Sequence, residues 1–255
     1  MNRIIKFVIL DILKNRVVLI YTLILAALSW SVFALEDNST KGLLTLLNVV
    51  LLIVPLVSVI FSTIYLYNSS EFIELLLSQP VKRSKIWFSL FLGLSLSLLF
   101  AFFAGAGIPI LIYAPTEISL MMLLMGITIS TVFVSIAFLS SVFTRDKAKG
   151  IGIAILLWLF FALLFDGLLL FLLFQFSEYP IEKAVVFISA CNPIDLARIM
   201  ILLHLDVSAM MGYTGAVFKD YFGSDTGIVV VFVILAVWVL LPYTIALSKF
   251  RKKDL

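Results

Sequence analysis

The chain is poor in what a soluble enzyme needs. Its 255 residues hold one cysteine, Cys191, so an internal disulfide is excluded, and one histidine, His204, so paired-imidazole metal sites and most acid–base dyads are excluded with it. Charged residues make up only 13% of the chain. No Gly-Lys pair occurs, which removes a phosphate-binding P-loop and any ATPase activity built on one. Hydrophobic residues fill 63% of the positions and mean hydropathy is +1.21, whereas a water-soluble domain is only about half apolar. A chain of this composition is an integral membrane protein.

Apolar windows of about 20 residues, the length that crosses a hydrocarbon core, fall near 17–35, 43–67, 86–113, 118–143, 151–176 and 228–248. The reading is an all-α membrane protein with six transmembrane helices, organised as a single domain over 1–255. The first run is longer than a signal-peptide core, and we expect it to stay as an anchor. Residues 1–16 form a separate amphipathic unit. At helical spacing Arg3, Lys6, Asp11 and Lys14 share one face and Ile5, Ile9, Ile12 and Leu13 oppose them, as in an elbow helix lying in the interface.

Orientation follows from the basic residues. Of 18 Lys and Arg, 14 fall at the N-terminus, after the second span (Lys82, Arg83, Lys85), after the fourth (Arg145, Lys147, Lys149) and at the C-terminus. Only Lys41, Lys183, Arg198 and Lys219 lie elsewhere. Positive residues are retained on the cytoplasmic side, so both termini and residues 68–85 and 144–150 are expected there. The basic residues are thereby explained by topology, and no nucleic-acid reading follows.

Three segments carry candidate function. Residues 68–85, NSSEFIELLLSQPVKRSKI up to Lys85, read as a short helix capped by Asn68 with Glu71 in a capping-box spacing and stopped by Pro80. Glu71, Glu74 and Ser78 share one face, with Phe72, Ile73, Leu75, Leu76 and Leu77 on the other. Such a helix suits contact with a soluble partner, or it is a loop snorkelling at the headgroups. Residues 177–227 are far longer than a connection needs. Ile181–Ala190 reads as a helix broken at Cys-Asn-Pro. Asn192 caps a second helix with Pro193 at its first position and Asp195 in its first turn. This helix is too short to cross, so it lies at the outer interface or re-enters the bundle; the glycine-rich stretch after it reads as a surface loop. Asp166 is the one acidic residue well inside a span. It marks either a functional site or a hydrogen bond to a facing helix backbone.

Methionines 121, 122, 125, 200, 210 and 211 raise a copper reading through their soft thioethers, but methionine is also ordinary filler of apolar helices and no ligand spacing supports a site on this chain. The small residues Ala104–Gly107 and Ser130, Thr131 and Ser135 fit close helix packing.

The elbow, the six spans, the segment ELLLSQPVKRSKI and the elaborated outer loop together resemble ABC-2 type permeases, the membrane halves of type V ABC transporters. Leu76, Leu77, Pro80 and Arg83 occupy a family pattern; Ser89-Leu90 stands where Gly-Lys is often seen. The outer stretch from Asn192 to Gly223 is similar to that of NosY-type permeases, carried by Asn192, Pro193, Asp195, Arg198, Gly212, Thr214 and Gly215. The resemblance implies a homodimer in the bacterial inner membrane with two copies of a cytosolic ATPase. It implies ATP and magnesium on that ATPase, and no cofactor on this chain. It implies a repeat-type, copper-handling periplasmic partner, and a role in maturing the copper-sulfur site of nitrous oxide reductase. ATPase coupling would fall to Glu71, Glu74, Leu77, Gln79, Pro80 and Arg83, and partner contact to Asn192, Asp195, Arg198, Tyr213, Thr214 and Phe218. A generic ABC-2 exporter of a lipid, drug or other small molecule shares every helix argument, and a gradient-driven transporter using Asp166 as a proton site stays open.

Overall fold

In the computed structural model, which describes residues 2–36, 38–176, 182–205, 218–219, 222–223 and 225–252, the described residues form helices and short turns. The elements are α1 (Asn2–Leu13), α2 (Arg16–Leu35), α3 (Ser39–Asn68), α4 (Ser70–Leu77), α5 (Arg83–Phe102) and α6 (Ile108–Tyr113). They continue with α7 (Glu117–Phe143), α8 (Lys147–Leu159), α9 (Phe165–Gln175), α10 (Glu182–Ala190), α11 (Pro193–His204) and α12 (Asp225–Lys252). A π turn, Phe103–Gly107, joins α5 to α6, and another, Phe160–Leu164, joins α8 to α9. Counting each such pair as one rod, six helices among the described residues are long and apolar enough to cross a membrane. Their bounds fall within a few residues of the apolar windows.

Burial ranks the spans. In the fourth span, α7, 72% of the most apolar window is inside the protein, against 17% in α8–α9 and 22% in α12. The second to fourth spans therefore make the centre, and the fifth and sixth turn most of their apolar surface outward. Close approach at the centre is set by small residues. Ser58 and Ser130 join α3 to α7 through their hydroxyls at 2.8 Å, and the Ser135 hydroxyl donates to the Val239 carbonyl of α12 at 2.6 Å. At Gly105 a Cβ would stand 2.8 Å from the Leu25 Cβ and 2.9 Å from the Thr22 carbonyl oxygen, so α2 crosses the first π turn only because that side chain is missing. The expected small-residue packing is present.

Two ends are distinguishable. At the basic end, α1 lies along α5 with Val8 and Ile12 fully buried, which makes it the elbow that the sequence pattern predicts. The Tyr65 hydroxyl donates to Asp11 at 3.1 Å, tying α1 to the end of the second span. At the opposite end, α10 and α11 bend by 113° at the Cys191-Asn192 break. The α11 helix packs into the protein, as in a broken span or a re-entrant loop: Ile194, Asp195, Leu196, Ala197, Ile199, Met200 and Ile201 are all buried.

Candidate functional site

At the basic end the site is built around α4. Only Ser69 separates it from α3, so the second span turns directly into the short helix. Asn68 does not cap it: it is the last residue of α3, and its side-chain oxygen Oδ1 accepts from the Lys147 ammonium at 2.7 Å. The cap position falls to Ser69, which makes no side-chain cap bond. The expected capping box fails because the chain stays helical through residue 68 and the asparagine is drawn to a neighbouring cation.

Ile73 and Leu76 are buried, and Phe72 packs its ring 5.2 Å from Phe7 of the elbow. Glu71, Glu74, Ser78, Gln79 and Pro80 are exposed. Leu75, expected on the apolar face, instead stands 66% exposed among the glutamates, while Leu77 is only partly buried. At 100° per residue Leu75 follows Glu71 at i+4, so it shares that face, and the inward stripe is narrower than the run of leucines suggests. The outward surface of α4 thus sets Leu75 beside the two glutamates.

The end of α3, from which α4 continues, is bolted to the rest of the basic end. The Tyr67 and Thr144 hydroxyls are 2.5 Å apart, and the Tyr67 hydroxyl also donates to the Thr144 carbonyl at 3.1 Å. Asp146 caps α8, accepting from the Lys149 amide at 3.1 Å, so the expected 144–150 loop shortens to Thr144–Asp146. Arg83 does not project outward alone; it donates to the Arg251 carbonyl at 3.2 Å, and Arg251 in turn donates to Ser84. Trp87 stacks on Phe250 at 4.1 Å behind α4. A cavity of about 320 Å³ opens there between Tyr67, Glu74, Trp87, Thr144 and Arg145. The sequence gives no direct sign of Tyr67, Thr144 and Trp87 here, and marks Lys147 only as a topology charge; the available signal is the polar Tyr67-Asn68 pair at the end of an otherwise apolar span.

At the opposite end, the second π turn and α11 make one structure. Asn192 caps α11, its oxygen accepting from the Ile194 amide at 3.0 Å, and its amide donates to the Phe161 carbonyl at 2.8 Å. A π turn inserts one residue into the ladder and so releases a carbonyl from it; Asn192 supplies a donor there. Asp166, one turn further on, pairs with Arg198 at 2.7 Å, and Asp195 reaches the same guanidinium nitrogen at 3.2 Å. Asp166 therefore binds a side chain of α11, not a helix backbone. Its partner Arg198 is turned inward, as are Asp195 and Asn192, so these three predicted contacts for an outer protein are engaged within the chain. Phe218 is 4% exposed and stacks near Phe222. Tyr213 and Thr214 lie outside the described residues, as does most of the glycine-rich stretch. Met122, Met125 and Met200 are core residues, and no cluster of three His, Cys, Asp or Glu side chains exists among the described residues.

Two comparisons bear on this arrangement. The chain is similar over 224 residues to the probable ABC transporter permease protein NosY of Pseudomonas aeruginosa, at 28% identity over 79% of this chain and 81% of the relative. Residues 48–255, which include α4, both π turns and the bent α10–α11 pair, match the family model described as ABC-2 family transporter protein. A match across that much of a six-span helical chain is decisive for the family, and the protein belongs to the ABC-2 transporter family as a multi-pass membrane permease.

Proposed function

We propose that this chain is the membrane subunit of an ABC transporter, worked by a separate cytosolic ATPase that docks on α4. The observation that carries this is the outward face of α4: Glu71 and Glu74 stand beside an apolar Leu75 on a helix that continues the second span, whose end is fastened at Tyr67–Thr144 and Asn68–Lys147. A push on that face reaches the spans directly, because Ser69 is the whole linker. The basic end is cytoplasmic in this reading, with both termini there, and the membrane is the bacterial inner membrane. Two copies of the chain pair through outward-facing apolar surface of the kind that the first and sixth spans leave uncovered. Each copy takes one ATPase, which carries ATP and magnesium.

The finer reading is maturation of the copper-sulfur site of nitrous oxide reductase, with work passed outward to a periplasmic copper-handling protein. The similarity to the NosY permease over most of both chains supports it. The bent α10–α11 pair, linked to the fifth span by Asn192 and Arg198, would move with that span, and the outer loop of residues 177–227 to which it belongs would be what the partner grips. The motor reading is tested by the pair Glu71→Lys and Glu74→Lys, which inverts the docking charge. The protein should still insert and keep its fold, but co-purify with less than a tenth of the ATPase, on the order of the few kcal/mol lost with charge-assisted contacts. Wild-type co-purification would place the contact elsewhere. For the finer reading, loss of the chain in a nitrous-oxide-respiring host should leave the reductase exported without its full copper centre; normal loading would favour a general exporter.

A further inference from the structure

The ion-pair cluster at the α10–α11 end lines a cavity of about 280 Å³ whose polar atoms are not all used. Asp166 and Asp195 share one guanidinium, that of Arg198, so two carboxylates face a single cation. Within the cavity wall Asp195 is 5% exposed and Ser189 is 1% exposed; among the described residues the Ser189 hydroxyl has no hydrogen-bond partner, and the second carboxylate oxygen of Asp195 has no donor, with the like-charged Asp166 as its neighbour. The Arg198 Nε is buried and equally unmatched. Groups of this kind are costly to leave unsatisfied in an apolar setting. The remaining wall is apolar, with Leu169, Leu170, Leu173, Ile199 and Phe218. Leu170 is also 55% exposed on the outward side of α9, and Phe171 and Phe174 beside it are more exposed still.

We propose that this cavity binds the primary-ammonium headgroup of a membrane aminophospholipid. The ammonium has N–H donors for the Asp195 oxygen, the Ser189 hydroxyl and Asp166, and its positive charge offsets the surplus carboxylate. The neighbouring phosphate oxygens are acceptors for the Arg198 Nε. The acyl chains follow the apolar wall onto the exposed leucine and phenylalanine side of α9. A trimethylammonium group carries the same charge without N–H donors, and a glycerol headgroup has no cation, so the site discriminates between headgroups by chemistry as well as by charge.

The test uses the full chain in detergent, with lipid retention read by native mass spectrometry and thermal unfolding read in parallel. Phosphatidylethanolamine should be held about tenfold more tightly than phosphatidylcholine or phosphatidylglycerol, the size of one or two charge-assisted hydrogen bonds. Free ethanolamine at the same concentration should neither bind measurably nor displace the lipid, because it lacks the apolar body. Asp195→Asn should abolish the preference. Ser189→Ala, which keeps both ion pairs and hence the fold, should reduce it by about threefold, as expected for one neutral hydrogen bond. Equal retention of the three lipids, or a preference that survives both substitutions, would overturn the proposal. Binding of free ethanolamine as tight as that of the lipid would overturn the lipid as its source.

Discussion

At the scale of single residues, side chains and missing side chains decide how the spans approach one another. A Cβ at Gly126 would fall on the ring of Phe102, which is fully buried and has nowhere to move, whereas a Cβ at Gly152 would meet nothing within 4 Å. Gly126→Ala should therefore lower the midpoint of thermal unfolding in detergent, while Gly152→Ala should leave it unchanged or raise it by the helix-propensity gain of roughly 1 kcal/mol. Asn192→Ala removes both the cap of α11 and the donor to the Phe161 carbonyl, and should cost about 1–3 kcal/mol in the same measurement. An unchanged midpoint would mean that solvent or lipid satisfies that carbonyl. The cap itself could be read from Asn192-Pro193 followed by Asp195. Its second bond could not, because nothing in the run from Leu156 to Phe165 announces a π turn.

At the scale of elements, the sequence conveyed the lengths and sidedness of the helices better than their junctions. Hydropathy located the six spans, and the amphipathic pattern of 1–16 located the elbow, since both depend on period and length alone. The pairing of Asp166 with Arg198 was hidden because the two lie 32 positions apart, on helices whose mutual approach depends on the break at Asn192. The same approach turned predicted outer contacts into inner ones. Two changes separate the roles in this cluster. Arg198→Leu leaves two carboxylates without their cation, and should sharply lower the yield of folded protein in fluorescence-detected size exclusion. Asp166→Asn should be milder, because Asp195 still reaches the guanidinium at 3.2 Å. Equal losses would mean that Asp195 contributes nothing to holding Arg198.

At the scale of the whole molecule, the two ends are joined through the second and fifth spans. The α4 helix continues α3, α3 is fastened to the start of α8 at Tyr67–Thr144 and Asn68–Lys147, and the rod of α8 and α9 carries the π turn and Asp166 that hold α11. That contiguous path fits a subunit that receives work at one end and delivers it at the other. It makes the location and partner of α4 the central claim. The most direct measurement places a single cysteine at Leu75 in a Cys191→Ser background and treats intact cells or inside-out vesicles with a membrane-impermeant maleimide. A cysteine-to-lysine cross-linker is then applied to membranes that also contain the ATPase. The account predicts labelling in inside-out vesicles only and a cross-linked species at the summed mass of the chain and the ATPase. Labelling from outside intact cells, or no cross-link from a position so exposed, would contradict it.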